Sequence, residues 1–114
     1  MDDDPSILRA LRRLLSGEGF TVRTFGSGEQ LLAWEGLRTI DCLILDIHLT
    51  GLSGFDVRER LSDLRPSLPI VFVTAHDDCA TRERAHRGAN SQYLRKPFED
   101  HALVHAIHTA LHDA

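Results

Sequence analysis

The sequence predicts an α/β fold: a parallel sheet wound on both faces by helices. Three observations predict it. Short runs that are apolar at every position alternate with stretches of helical periodicity. Two of those runs, Cys42-Leu43-Ile44-Leu45 and Ile70-Val71-Phe72-Val73, lack the polar alternation of a half-exposed strand and so fit strands covered on both sides. Gly and Pro punctuate most changes of period.

The elements follow in order. Pro5-Ser6 opens a helix carrying Ile7, Leu8, Leu11, Leu14 and Leu15, with Gly17 at its end. Phe20-Thr21-Val22-Arg23-Thr24-Phe25 alternates like a strand. Ser27 can cap a helix that bears Leu31, Leu32 and Trp34 and stops before Gly36. The run ending at Leu45 stops at Asp46, and Gly51 and Gly54 lie in the loop beyond it. Phe55, Val57, Leu61 and Leu64 mark the next helix, which Pro66 and Pro69 close. The second buried run stops at Thr74. A polar helix from about Asp78 to Arg87 ends at Gly88. Ser91-Gln92-Tyr93-Leu94-Arg95 is a more polar strand suited to an edge, Lys96-Pro97 breaks it, and the last helix runs from about Asp100 to His112.

The chain has 114 residues, enough for one domain, 1–114, and one small core. Apolar residues make up 42% and charged residues 26%, ordinary values for a globular domain. Net charge is −4 without a basic stripe, which argues against direct nucleic-acid binding. Arg9, Arg12 and Arg13 fit a wet helix face, as do Arg82, Arg84 and Arg87. Cys42 and Cys79 show neither disulfide nor zinc spacing, so reduced thiols in a cytoplasmic protein are expected. The apolar runs fall far short of a membrane span.

In open parallel sheets ligands gather beyond the carboxyl ends of the strands. Asp46 ends one buried strand, Thr74 ends the other, the polar strand leads to Lys96, and Asp2-Asp3-Asp4 precedes the first helix. A carboxylate, a hydroxyl, an ammonium and an acidic cluster at one edge suit metal-assisted phosphoryl transfer. Hard carboxylate oxygens favour Mg²⁺. Asp2, Asp3 and Asp46 carry −3, which Lys96 and one Mg²⁺ would balance with +3. Each residue also has a plainer reading: strand-end Asp as a cap, Thr as a satisfied hydroxyl, Lys as solvated, Tyr93 as a half-buried aromatic.

Taken in order, Asp-Asp-Asp-Pro, then Leu-Ile-Leu-Asp with Gly54 eight residues on, then Val-Thr-Ala, then Lys-Pro-Phe resemble the signature of response regulator receiver domains over nearly the whole chain. The resemblance implies a flavodoxin-like doubly wound sheet with strand order 2-1-3-4-5. It implies a signalling domain of a bacterial two-component phosphorelay rather than a conventional enzyme. Asp46 would accept a phosphoryl group from a sensor histidine kinase or phosphotransfer protein. Asp3 would bind Mg²⁺ directly, Asp2 would hold it through water, and the His48 backbone carbonyl would add a ligand beside Asp46. Thr74 and Lys96 would bind the phosphoryl group, Ala75 would leave room for it, and Tyr93 would follow Thr74 as a switch. The Lys96-Pro97 bond would be cis. The face made by the last two helices and the strand between them would carry a homodimer or partner contact.

The sequence departs from the family at its front. Receivers have an apolar strand before the acidic pair, and only Met1 stands there. The expectations are a truncated or miscalled start or, failing that, an altered four-stranded sheet. Either places Mg²⁺ binding in question and gives the main alternative, a pseudo-receiver that binds without being phosphorylated. A small Mg²⁺-dependent phosphatase is a lesser alternative, because His48 stands where a general acid would be wanted. Thr50 replaces a frequent Pro, and His48 and His76 flank the pocket.

One pattern lies outside the resemblance. His101, His105, His108 and His112 fall at i, i+4, i+7 and i+11 of the last helix, within about 60° of one another. A solvated polar face is the plain reading. Histidines one turn apart can also bind Zn²⁺ or Ni²⁺.

Overall fold

A computed structural model describes residues 1–48, 51–87 and 91–112. Thr50 and Gly88 lie outside the described residues. Among the described residues five helices and three parallel strands follow, alternating after the first two helices: α1 (Pro5–Gly17), α2 (Gly28–Ala33), a 3₁₀ turn (Glu35–Thr39), β1 (Leu43–Asp46), α3 (Gly54–Leu61), β2 (Ile70–Thr74), α4 (Cys79–His86), β3 (Ser91–Arg95) and α5 (Asp100–His112). The sheet has three strands in the order β1-β2-β3, with Asp46 beside Val73 and Thr74 beside Arg95. The more polar strand, β3, lies at an edge of the sheet, as its composition suggests.

The two faces are separated by strand alternation. Leu43, Leu45, Ile70 and Phe72 point to one side and pack with Leu31, Phe55, Val57 and Leu61 from α2 and α3. Val71 and Val73 point to the other and pack with Leu15, Leu103, Ala106, Ile107 and Ala110 from α1 and α5. Every residue of β2 is buried, which explains its unbroken apolar run. Helix starts follow the capping residues: Asp4, Ser27, Ser53 and Asp78 each accept a backbone N–H of the first turn.

Three expectations need correction. Phe20–Phe25 forms no strand. In the expected order its neighbour would be a strand leading to Asp2, and Met1-Asp2 stand there as a short stub: the Met1 nitrogen donates to the Ile44 carbonyl at 2.7 Å, Asp46 N–H donates to the Met1 carbonyl at 3.1 Å, and Asp2 N–H donates to the Phe25 carbonyl at 3.1 Å. Beyond the stub the two flanks stay apart, bounding a largely apolar groove of about 960 Å³ lined by Leu11, Leu15, Phe20, Val22, Ile44 and Ile107 among others. The sheet is therefore three-stranded rather than four-stranded among the described residues. Second, Trp34 does not continue α2. It adopts extended backbone at ψ 130°, and the chain passes Gly36 inside the 3₁₀ turn. Third, α3 ends at Leu61, and Leu64 beyond it is exposed.

Candidate functional site

The site forms where β1, β2 and β3 end together, with the stub at Asp2 beside them. Parallel register puts Asp46 at the last position of β1 and Thr74 at the last position of β2. Lys96 follows β3 directly, and its N–H donates to the Thr74 carbonyl at 2.7 Å. The Lys96-Pro97 bond is cis.

Lys96 joins the two carboxylates. Its Nζ donates to Asp46 Oδ2 and to Asp2 Oδ2, both at 2.7 Å. Asp2 is 2% exposed and Asp46 6%. The other oxygens are oriented by backbone: His48 N–H donates to Asp46 Oδ1 at 3.1 Å, and Asp4 N–H to Asp2 Oδ1 at 3.0 Å. Two negative charges against one positive leave these three side chains at −1; the buried Met1 amino group beside them is pushed down to about 6 by burial and is mostly neutral at pH 7.

The carboxylates differ in proton affinity. Burial pushes Asp46 up, the Asp2 charge adds to that push, and the Lys96 bond only partly opposes it, so its pKa is raised. Burial pushes Asp2 up too, but Lys96 and the Asp4 N–H outweigh it, and its pKa is lowered. Burial lowers Lys96, yet its two carboxylate partners win and its pKa is raised.

Thr74 is fully buried. Its hydroxyl accepts from His76 N–H at 2.9 Å and donates to the His76 carbonyl at 3.3 Å. Ala75 beside it is exposed and adds no bulk. Tyr93 is half-buried, and its hydroxyl donates to Asp77 Oδ1 at 2.9 Å. Arg82 pairs with the other oxygen of Asp77 at 2.7 Å. Tyr93 and Thr74 thus meet through the loop Ala75–Asp78. The His48 and His76 rings meet edge to face at 5.0 Å across the mouth of the site.

Gly54 positions the loop after Asp46. A Cβ there would lie 2.8 Å from the Asp46 carbonyl oxygen and 3.1 Å from Ile47 Cα, while Gly54 N–H donates to the Ile47 carbonyl at 3.1 Å. The turn needs a residue without a side chain.

Asp2, Asp46, Thr74 and Lys96 are therefore gathered as the sequence suggests. Asp3 is not with them: it is exposed. Among the described residues no three carboxylate, imidazole or thiol groups close on one point. The donor set still fits a hard divalent cation, because two buried carboxylates share one ammonium and keep an uncompensated charge. Sequence reasoning missed Asp77 and Arg82, whose link to Tyr93 no motif signals. It also missed that Asp4 is a helix cap, although Asp4-Pro5-Ser6 is a recognisable helix start.

Comparison with known proteins bears on this arrangement. The family model described as response regulator receiver domain matches residues 1–108. The chain belongs to that family. Nodulation protein W of Bradyrhizobium diazoefficiens is 37% identical over 107 residues, covering 94% of this chain and 47% of the relative. Response regulator protein TmoT of Ectopseudomonas mendocina is 35% identical, covering 97% and 50%. This receiver chain thus spans about half the length of those relatives. Among solved structures, a receiver protein of Burkholderia phymatum is 39% identical with a TM-score of 0.80, over 100% of this chain and 93% of that one. A CheY-like receiver domain protein of Methanospirillum hungatei is 26% identical with a TM-score of 0.87, over 97% and 89%. The α/β flavodoxin-like fold is shared despite the three-stranded sheet. Receivers are signalling domains rather than conventional enzymes, and no helix among the described residues is long and apolar enough to cross a membrane.

Proposed function

We propose that residues 1–114 act as one receiver domain that accepts a phosphoryl group on Asp46 from a sensor histidine kinase or phosphotransfer protein. The observation that carries this reading is the bridge from Lys96 to Asp46 and Asp2 in a buried pocket with a net charge of −1.

A carboxylate is a weak nucleophile, so catalysis rests on position and charge. The His48 N–H holds one Asp46 oxygen, leaving the other turned toward the pocket. That oxygen attacks phosphorus while the donor nitrogen leaves with the bonding electrons. Lys96 then follows the negative charge from carboxylate to phosphoryl oxygen. Thr74 exchanges its bond to the His76 carbonyl for one to a phosphoryl oxygen. Asp2 and Asp46, with Asp3 turned inward and the His48 carbonyl, would hold Mg²⁺, which when bound neutralises charge on the incoming phosphoryl group. Movement of Thr74 shifts the loop that carries Asp77, and so the hydroxyl of Tyr93. The face of α4, β3 and α5 would pass the change to a partner or a second copy.

The exposure of Asp3 favours the pseudo-receiver as a second reading. One experiment separates the two: incubation with acetyl phosphate, with and without Mg²⁺, read by intact mass. Gain of one phosphoryl mass that requires Mg²⁺ supports the receiver. No gain under conditions that phosphorylate a control receiver supports the pseudo-receiver.

A further inference from the structure

The last helix carries a pattern that the phosphorylation site does not use. His101, His105, His108 and His112 are all exposed, while Leu103, Ala106, Ile107 and Ala110 of the same helix are buried. The histidines form two pairs with i, i+4 spacing, HALVH and HTALH. That spacing sets two imidazoles one above the other on a helix, and it is how zinc helices present two ligands to one ion. The His108 and His112 rings already stack with centres 6.3 Å apart, and Phe20 packs against His108 at 5.7 Å, limiting where that ring can go.

Two imidazoles leave a tetrahedral ion half-coordinated. The pattern itself indicates the rest. It is symmetric about a point between Ala106 and Ile107: His101 mirrors His112, and His105 mirrors His108. A second copy laid antiparallel on this face, related by a two-fold axis through that point, brings its His101 and His105 opposite His108 and His112 of the first. Two-fold symmetry repeats the contact at the other end. Each end then holds four imidazoles, and the two sites lie about 10 Å apart along the helix.

We propose that α5 is a zinc-dependent self-association face, in which two copies of this chain pack their last helices antiparallel and share two four-histidine sites. The ligand class is a borderline divalent ion that prefers imidazole. The occupant is a second copy, because only an identical helix supplies the mirrored pairs. The site is separate from Asp46, and it stands whether or not Asp46 is phosphorylated.

The test uses metal-free protein at pH 7.5, titrated with zinc and followed by light scattering and metal content. The mass should double at one zinc per chain. His101→Gln/His105→Gln and His108→Gln/His112→Gln should each remain monomeric in zinc, since each lacks half of both sites. An equimolar mixture of the two variants should dimerise with one zinc per two chains, because one complete site is restored. Without metal the His101/His105 variant should melt like the wild type, because both side chains are exposed, and the His108/His112 variant should melt slightly lower, because His108 leaves its contact with Phe20. Asp46→Asn should dimerise like the wild type. A wild type that binds zinc but stays monomeric overturns the proposal, as does doubling by either variant alone or a mixture that stays monomeric.

Discussion

Replacing Lys96 with Met removes the ammonium that two buried carboxylates share. The cluster changes from −1 to −2, and Asp2 and Asp46, at 2% and 6% exposure, lose a bond of 2.7 Å each. Breaking a buried pair by deleting one partner costs about 3–5 kcal/mol. The Lys96 side chain keeps 20% of its exposure, so the lower end applies, about 3 kcal/mol at pH 7. For a domain of this length that is a fall in melting temperature of roughly 12 °C. The pH dependence gives the sign. Without Lys96 both carboxylates are raised in the folded state by burial and mutual repulsion. A raised carboxylate opposes folding above its unfolded value, about 3.9, and ceases to do so once protonated. The deficit should therefore shrink as pH falls from 7 toward 4. Thermal melts followed by circular dichroism in chelator at several pH values measure this. Should Lys96→Met not fold at pH 7, Asp46→Asn/Lys96→Met should restore it by removing one of the two charges. A deficit below about 1 kcal/mol, or one that does not change with pH, would refute the idea that Lys96 neutralises a buried pair.

Asp46→Asn removes a carboxylate whose pKa is raised by burial, so it should raise the melting temperature at pH 7 and leave it unchanged near pH 3, checked by calorimetry. Gly54→Ala forces a Cβ to 2.8 Å from the Asp46 carbonyl and should cost about 1–3 kcal/mol in a denaturant titration, while slowing phosphorylation through the displaced loop. Tyr93→Phe deletes the bond to Asp77, whose carboxyl is held low by that bond and by Arg82; its titration, followed by carboxyl NMR, should move upward. An apolar four-residue strand fused before Met1 should enter the groove between Phe20–Phe25 and β1. Burial and ladder bonds offset by ordering should raise stability by about 2 kcal/mol, measured by denaturant unfolding.

Much of this molecule was legible in the sequence, because the signals were local. The apolar runs before Asp46 and Thr74 carry their own burial, and β2 is buried at every position. Ser27 and Asp78 cap their helices as their types suggest. The gathering of Asp46, Thr74 and Lys96 from distant positions was legible because strand ends of a parallel sheet converge. What failed depended on partners. Phe20–Phe25 alternates like a strand, but a strand exists only with a neighbour to bond, and among the described residues its link toward the sheet is the Asp2 N–H donated to the Phe25 carbonyl. Trp34 fits a helical stripe, yet its ring packs on Phe25 at 5.3 Å from an extended backbone. Leu64 fits the α3 spacing and ends exposed, because the helix stops at Leu61 and the chain turns toward Leu68. The Asp77–Tyr93 bond joins positions sixteen apart across α4, and nothing in either residue's neighbourhood announces it.

The most direct measurement is chemical location of the phosphoryl group. After reaction with acetyl phosphate and Mg²⁺, borohydride reduces an acyl phosphate to an alcohol, and peptide sequencing by mass spectrometry finds the altered residue. Conversion of Asp46 to homoserine, absent when Mg²⁺ is chelated, is the predicted result. Homoserine at Asp2, Asp3 or another carboxylate with Asp46 intact would contradict it.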